Sequence, residues 1–337
     1  MTEPIDFVVT WVNDEDYEWR ERRASAQGVA TEQSADSSDV RYRDWGLLRY
    51  WFRAVEAYCP WVRIVHLVTD TRVPEWLEKD NPKLNLVDGR KLKGGDVDTF
   101  SSRSIESQLH RIDALSERYV YFNDDFFIGR PLEPDFFFRD GLPYGVNAPT
   151  ILADGDFRAH AMLYASGLIN KHFSRRSYIR TMMRRSLRPS SGAELFRMPL
   201  FFACSSIPPV TDTHVGIPLL KSVVEEAYAA EPEAIEQARR TVFRSRNETA
   251  PIYFATMWHL ASGKYFSRSK RSIGQYFSLA SSSFREIEAA ITGRRFPQFC
   301  LNDGEVRDVP EVRTAVTSAF QRALPNPSSF ERVSETS

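Results

Sequence analysis

Residues 119–128 read Tyr-Val-Tyr-Phe-Asn-Asp-Asp-Phe-Phe-Ile, with two adjacent carboxylates set between apolar flanks. An apolar run of this kind predicts a buried strand. Ionised carboxylates at its end must be paired, hydrogen-bonded or bound to a metal. Asn123, Asp124 and Asp125 together offer hard oxygen donors of the type Mg²⁺ prefers. A simple turn accounts for the same residue types, because Asn and Asp bond their own backbone locally, so the surroundings decide. Trp11 and Asn13 close an apolar run at residues 5–13 and suit stacking on, and hydrogen bonding to, a base or sugar; core packing is the competing role for Trp11. His214 stands in Asp-Thr-His-Val-Gly-Ile-Pro at residues 212–218, a loop-forming context that leaves an imidazole accessible. Asn302 and Asp303 form a second amide–acid pair after the apolar residues 299–301.

Several function classes are excluded or lack support. There is no Walker loop, Gly-rich dinucleotide fingerprint or Gly-x-Ser-x-Gly elbow. A formal net charge of −1 on 337 residues lacks the electrostatic footprint of a nucleic-acid binder. Cys59, Cys204 and Cys300 are odd in number and widely spaced, which fits neither a disulfide framework nor a metal site and favours a reducing compartment. The first residues lack the basic and apolar regions of a signal peptide, and no stretch approaches a membrane span. A cytoplasmic protein is expected. Arg175, Arg176, Arg180, Arg184, Arg185 and Arg188 read as a solvated helix face, with docking to an anionic substrate or membrane lipid as the alternative.

The elements that must position these groups follow from periodicity. Residues 5–12, 62–68, 84–87 and 119–122 read as strands. A helix capped by Asp44 is expected to run to about Tyr58, with Leu47, Leu48, Trp51, Phe52 and Val55 on one stripe. A short helix is expected near residues 75–78. Another helix, capped by Ser104, would bury Ile105, Leu109 and Ile112 and carry Glu106 and His110 four apart on another face. Residues 24–40 read as a loop and residues 325–337 as a frayed end. The alternation implies an α/β fold with a Rossmann-like, mostly parallel sheet and flanking helices. Ligands of such sheets bind at the carboxyl ends of the strands, where Asn13, Asp14, Asp70 and residues 123–125 would gather. Residues 1–150 form this part; residues 151–330 form a helical part that completes the active site, and 331–337 a tail.

In their order and spacing these segments resemble the Stealth family of sugar-phosphate transferases. The first region of that family resembles residues 5–14. The second resembles residues 43–50, 60–63 and 99–125; the third resembles 212–218 with Phe243-Arg244-Ser245; the fourth resembles 300–303. Where the family usually has Gly after the Trp-Val-Asn or Trp-Val-Asp of its first region, this chain has Asp14.

The resemblance implies transfer of a sugar-1-phosphate from a UDP-sugar to a glycan or small hydroxyl-bearing acceptor, with release of UMP. It implies catalytic roles for Asp124, Asp125, His214 and Arg244. Substrate contacts would come from Asp6, Trp11, Asn13, Arg49, His110 and Asn123, and Mg²⁺ or Mn²⁺ would be held by Asp125, Asn302 and Asp303. No nucleic-acid partner and no transmembrane segment are expected, though peripheral membrane contact is compatible with the basic cluster. A metal-dependent glycosyltransferase that releases UDP is the rival enzyme, and a carbohydrate-binding protein without turnover is the rival from another class.

Overall fold

Strand β1 (Ile5–Thr10) is buried at every position, as a strand covered on both faces must be. β2 (Val65–Thr69), β3 (Leu84–Asp88) and β4 (Arg118–Asn123) carry similarly apolar runs. Beyond them lie β5 (Phe126–Ile128), β6 (Phe138–Arg139), β7 (Leu142–Gly145), β8 (Ile217–Leu220), β9 (Phe266–Ser267), β10 (Gln275–Ser278) and β11 (Gln298–Asn302). This computed structural model describes residues 3–29, 39–152, 157–246 and 248–332. The main sheet has the order β3-β2-β1-β4-β8, parallel except for β8, which runs antiparallel to β4. The expected α/β fold with a mostly parallel sheet and flanking helices is therefore the observed one.

The strand expected at residues 119–122 is β4, and a further short strand, β5, follows the acids. The chain leaves the main sheet after Asn123, turns through Asp124 and Asp125, and enters a second sheet of order β10-β11-β5. The reason is electrostatic. Successive strand residues face opposite sides, so an uninterrupted strand would bury one carboxylate in each covered face.

Residues beyond 150 complete both sheets. β8 pairs with β4, β11 pairs with β5, and one hydrophobic cluster reaches from Ile5 to Phe330. The second half therefore contributes strands as well as helices.

Other local expectations change. Residues 24–29 continue the helix Tyr17–Val29, while 30–38 lie outside the described residues. Asp44 does not cap the helix Leu48–Tyr58; its Oδ1 accepts from the Gly46 amide at 2.9 Å. The predicted stripe is nonetheless buried. Residues 75–78 form a turn with a bridge from Leu77 to Glu331. The segment after Ser101 is only the helix Ser102–Glu106 followed by a 3-10 turn, Leu109–Arg111, so Glu106 and His110 do not share a helix face. The end of the chain does not fray as far as residue 332. Phe330 packs on Phe52 at 4.8 Å and Glu331 forms a two-bond pair with Arg53 at 2.7 and 2.8 Å. Residues 333–337 lie outside the described residues.

Asp6 is a structural pin, contrary to the expectation that it contacts substrate. It is fully buried in β1 at the amino-terminal side of the sheet, away from the edge that carries Asp124. Its carboxylate accepts from Arg63 Nε at 2.8 Å and the Ser116 amide at 2.8 Å, and lies 3.1 Å from His66 Nε2. Burial by itself would raise its pKa, but these bonds outweigh burial and lower it from 3.8 to about 2. A depressed carboxyl contributes stability above its unfolded pKa, and that contribution disappears as pH falls through the folded value. Asp6→Asn should cost roughly 2–3 kcal/mol at neutral pH, read from equilibrium denaturation. The wild-type advantage should shrink between about pH 4 and pH 2; a cost below about 0.5 kcal/mol at pH 7 would show the pin to be dispensable.

Candidate active site

The pocket of interest lies where β4 hands over to β5 and the loop at residues 211–218 passes beside them. It encloses about 170 Å³, and its walls include Arg103, Glu106, Asn123, Asp212, His214 and Arg244. Gly216 lets the loop approach the sheet, since a Cβ there would stand 2.4 Å from the Phe122 ring and 2.6 Å from Gln298 Oε1. His214 has a left-handed backbone, with φ of 48°, a conformation uncommon for a non-glycine residue and worth notice at a functional site. Its ring packs edge-on to Phe126 at 6.2 Å and Tyr276 at 5.6 Å.

A chain of charge runs through this loop. His214 Nδ1 lies 3.0 Å from Asp212 Oδ2, which leaves Nε2 for a ligand. Burial opposes the imidazolium, but the charge and hydrogen bond of Asp212, with help from Asp125, override it and raise the His214 pKa above 6.5. Burial likewise pushes Asp212 up, and His214 and Arg158 reverse this and hold it at about 2. Asp125 accepts from the Cys300 thiol at 3.2 Å. Burial raises its pKa against the pull of His214 and Arg244. Asp124 is pushed well up by burial, then by Asp125 and Asp44. Both acids keep part of their surface open to solvent while protein packs densely around them, as expected in a concave site.

Arg244 lies near Glu106 without pairing to it. Its Nη2 donates to Ser102 Oγ at 2.6 Å, and among the described residues it forms no ion pair. Burial lowers its pKa, and Arg41 and Arg103 lower it further. Arg103, in contrast, is neutralised by Glu248 at 2.7 Å. A half-buried guanidinium crowded by like charge, with Glu106 as its nearby acid, would be stabilised further by an anionic ligand, for which its planar fork is suited.

The family of the chain is shown by what it is similar to. Residues 3–28 and 41–143 match the family models for Stealth protein conserved regions 1 and 2. The receptor polysaccharide phosphotransferase WefC of Streptococcus gordonii is 35% identical over 336 residues, covering 98% of this chain and 100% of the relative. The chain belongs to the Stealth family. The capsular polysaccharide phosphotransferase WcwK of Streptococcus pneumoniae is 33% identical, over 97% of this chain and 99% of its own. The exopolysaccharide phosphotransferase cps2G of Lactiplantibacillus plantarum is 32% identical, over 97% and 96%. This Stealth protein is accordingly an enzyme that transfers sugar phosphate. The apo crystal structure of mouse xyloside xylosyltransferase 1 overlaps 89% of this chain and 98% of its own, at a TM-score of 0.34 and 10% identity; so distant a likeness carries no argument.

Three expected substrate contacts besides Asp6 lie elsewhere. Trp11 is core: it is buried, with its indole N–H beside the Asp44 carboxyl. Arg49 faces the docked end of the chain, 3.3 Å from Glu331 and over the Trp76 ring at 5.0 Å. His110 packs edge-on to Tyr228 at 5.2 Å, and burial, with Arg111 and Lys221, lowers its pKa to about 4. Asn13 does reach the carboxyl edge, where its Oδ1 accepts from the Glu15 amide at 3.0 Å. Asp70 reaches the edge too, but its charge is met by Lys93 at 2.5 Å. Asn123 lines the pocket and accepts from Tyr121 and Thr10.

Sequence reasoning passed over Asp212, Arg103, Glu106 and Tyr121 as site residues. Of these only Asp212, two residues before His214, carried a signal that spacing could have revealed.

The residues expected to hold a metal come from distant parts of the chain and are brought near one another at this edge by the pairing of β11 with β5. The Leu301 amide donates to the Asp125 carbonyl at 2.9 Å, bringing Asn302 and Asp303 alongside the acidic turn. Asp303 Oδ1 is engaged by Arg43 at 3.2 Å and by the Gly304 amide, whereas Oδ2 is buried without a partner. Among the described residues no three His, Cys, Asp or Glu side chains form a metal-holding group. Asp44 and Asp125 raise the pKa of Asp124, and Asp14 raises that of Asp44, burial being the largest cause for each, so hard oxygen donors of the kind a divalent cation takes stand near one another at this edge.

Asp212→Asn removes the charge that sustains the His214 imidazolium. The imidazole should then titrate at lower pH than in the wild type, read from its ring proton shifts by NMR. An unmoved titration would mean that the Asp212–His214 contact does not set the charge of the ring.

Proposed function

We propose that this Stealth enzyme transfers a hexose-1-phosphate or N-acetylhexosamine-1-phosphate from a UDP-sugar to a hydroxyl of a glycan, forming a phosphodiester and releasing UMP. The carrying observation is the pocket shared by His214, oriented by Asp212, and Arg244, a half-buried cation that forms no ion pair among the described residues. The names of the relatives, which are polysaccharide phosphotransferases, support a glycan as acceptor.

The reaction exchanges one P–O bond for another. The acceptor oxygen attacks the phosphorus that bears the sugar; the new P–O bond forms as the bond to the bridging oxygen breaks, and UMP departs with that oxygen. His214 Nε2 takes the acceptor proton as general base, while Asp212 holds the ring through Nδ1 and stabilises the imidazolium that results. Arg244 binds the non-bridging diphosphate oxygens, where charge is greatest. Such transfer depends chiefly on alignment and charge neutralisation. Asp125, near both His214 and Arg244, orients the acceptor hydroxyl. Asp124, Asp125 and the free oxygen of Asp303 are the groups suited to Mg²⁺ or Mn²⁺, which when bound would neutralise diphosphate charge.

Four outcomes test this reading. With a UDP-sugar and acceptor the nucleotide product should be UMP; UDP would mean glycosyl transfer. His214→Ala should lower kcat about 10²–10⁴-fold with little change in donor affinity, whereas Arg244→Ala should chiefly weaken donor binding in calorimetric titration. Equal loss of donor binding in both variants would make His214 a phosphate contact and not a base. Because the His214 pKa is raised, its basic form grows in only above the ordinary 6.5, so kcat/KM should climb on the alkaline side of that value. Chelation with EDTA should abolish turnover and Mg²⁺ or Mn²⁺ restore it; full activity in EDTA would leave Arg244 to carry the diphosphate charge.

A further inference from the structure

The helix Arg175–Ser186 and the chain that follows it take no part in the phosphotransfer pocket. Tyr178, Met182 and Ser186 are buried at intervals of four. On the opposite side Arg176, Arg180, Met183, Arg184 and Leu187 are exposed, at intervals that fall on one stripe. Residues 173–203 contain seven arginines and a single acid, Glu194. Glu194 is buried and accepts from the Lys270 amide, so it does not offset the surface charge. Among the described residues none of the seven arginines forms an ion pair.

Large apolar side chains stand out among these cations. Phe196 is 88% exposed, and Leu200 and Phe202 are also exposed. They are held in place and not loosely attached. Arg175 Nη2 donates to the Phe202 carbonyl at 2.8 Å, and the Phe201 ring packs against Tyr178 at 5.4 Å. Arg197 ties the far side of the segment to the Pro149 carbonyl and to Thr211 Oγ1. Thr211 precedes Asp212 of the active site, and Ile151, two residues past Pro149, is 90% exposed. The surface therefore runs from the arginine stripe to the rim of the pocket.

A solvated stripe of arginines requires no partner, but rigidly presented Phe, Leu and Ile side chains among them do. Basic groups mixed with apolar ones that reach a few ångströms beyond the fold are the makeup of a surface that lies in a membrane interface. A second copy of this chain fits poorly, because a two-fold contact would set arginine against arginine. We propose that this face docks on an anionic lipid bilayer, with Phe196, Leu200 and Phe202 entering the headgroup region and the arginines meeting lipid phosphates. Docking would hold the pocket mouth beside the membrane surface. The described residues contain no helix long and apolar enough to cross a membrane, so attachment would be peripheral and reversible.

Co-sedimentation with vesicles tests the proposal, comparing phosphatidylcholine alone with equal parts of phosphatidylcholine and phosphatidylglycerol. The wild-type chain should pellet with the phosphatidylglycerol vesicles only, and added salt should weaken this. Each arginine lost should cost roughly fivefold in partitioning, so Arg180→Glu with Arg184→Glu should cost about 25-fold or more. Phe196→Ser with Leu200→Ser and Phe202→Ser should also release the protein. Both variants should turn over a water-soluble acceptor at the wild-type rate, since none of these residues touches the pocket. Failure of the wild type to prefer phosphatidylglycerol overturns the proposal. So does full vesicle binding by the triple serine variant, which would indicate a site for soluble polyanions, or a wild-type dimer that the triple variant loses, which would indicate self-association.

Discussion

Two neighbouring carboxylates at the end of a buried strand are the constraint around which this enzyme is arranged. Charge at Asp124 and Asp125 is costly beside apolar β4 and β5. The chain meets that cost by turning there, so that neither acid is carried into a covered sheet face. Two sheets result where one strand might have run on, and Asn123 and Phe126, on either side of the turn, line the candidate pocket. The raised pKa values of both acids, with burial as the largest cause, show that the cost is not fully offset by protein groups. A site that keeps such charge unrelieved is poised for a cation or for substrate protons.

The other half of the chain supplies what relieves it. β8 and β11 attach to β4 and β5, and these pairings carry the loop of Asp212 and His214 and the pair Asn302-Asp303 to the same edge. Arg244 arrives separately, seated on Ser102. The positive groups are graded. Arg103 is spent on Glu248, His214 is shared between Asp212 and Asp125, and Arg244 feels Glu106 but forms no ion pair among the described residues. Only the last is suited to binding a diphosphate without first losing an internal partner. This grading separates structural charge from functional charge more clearly than burial does.

Charge at the other side of the sheet is treated differently. Asp6 is as buried as any residue in the site, yet it has three donors and a depressed pKa. The contrast between Asp6 and Asp124 distinguishes an acid that holds the fold from one that the fold holds ready.

By itself the sequence determined the alternating β-α pattern, the apolar central strands, and the chemistry of Asn123-Asp124-Asp125 and of the loop around His214. Those follow from local periodicity and from the cost of burying charge, which act over a few residues. The tertiary structure alone decided which polar residues share the pocket. Asp6, Trp11, Arg49 and His110 lie in segments similar to those of site residues, but strand direction, helix packing and the docked chain end point them elsewhere. Arg103 and Glu106 look like ordinary helix residues until a helix of five residues ends and aims them into the cavity. Arg43 and Asp303 stand 260 positions apart and meet at 3.2 Å. No local rule relates residues so far apart, because their contact is set by which strands pair across the seam.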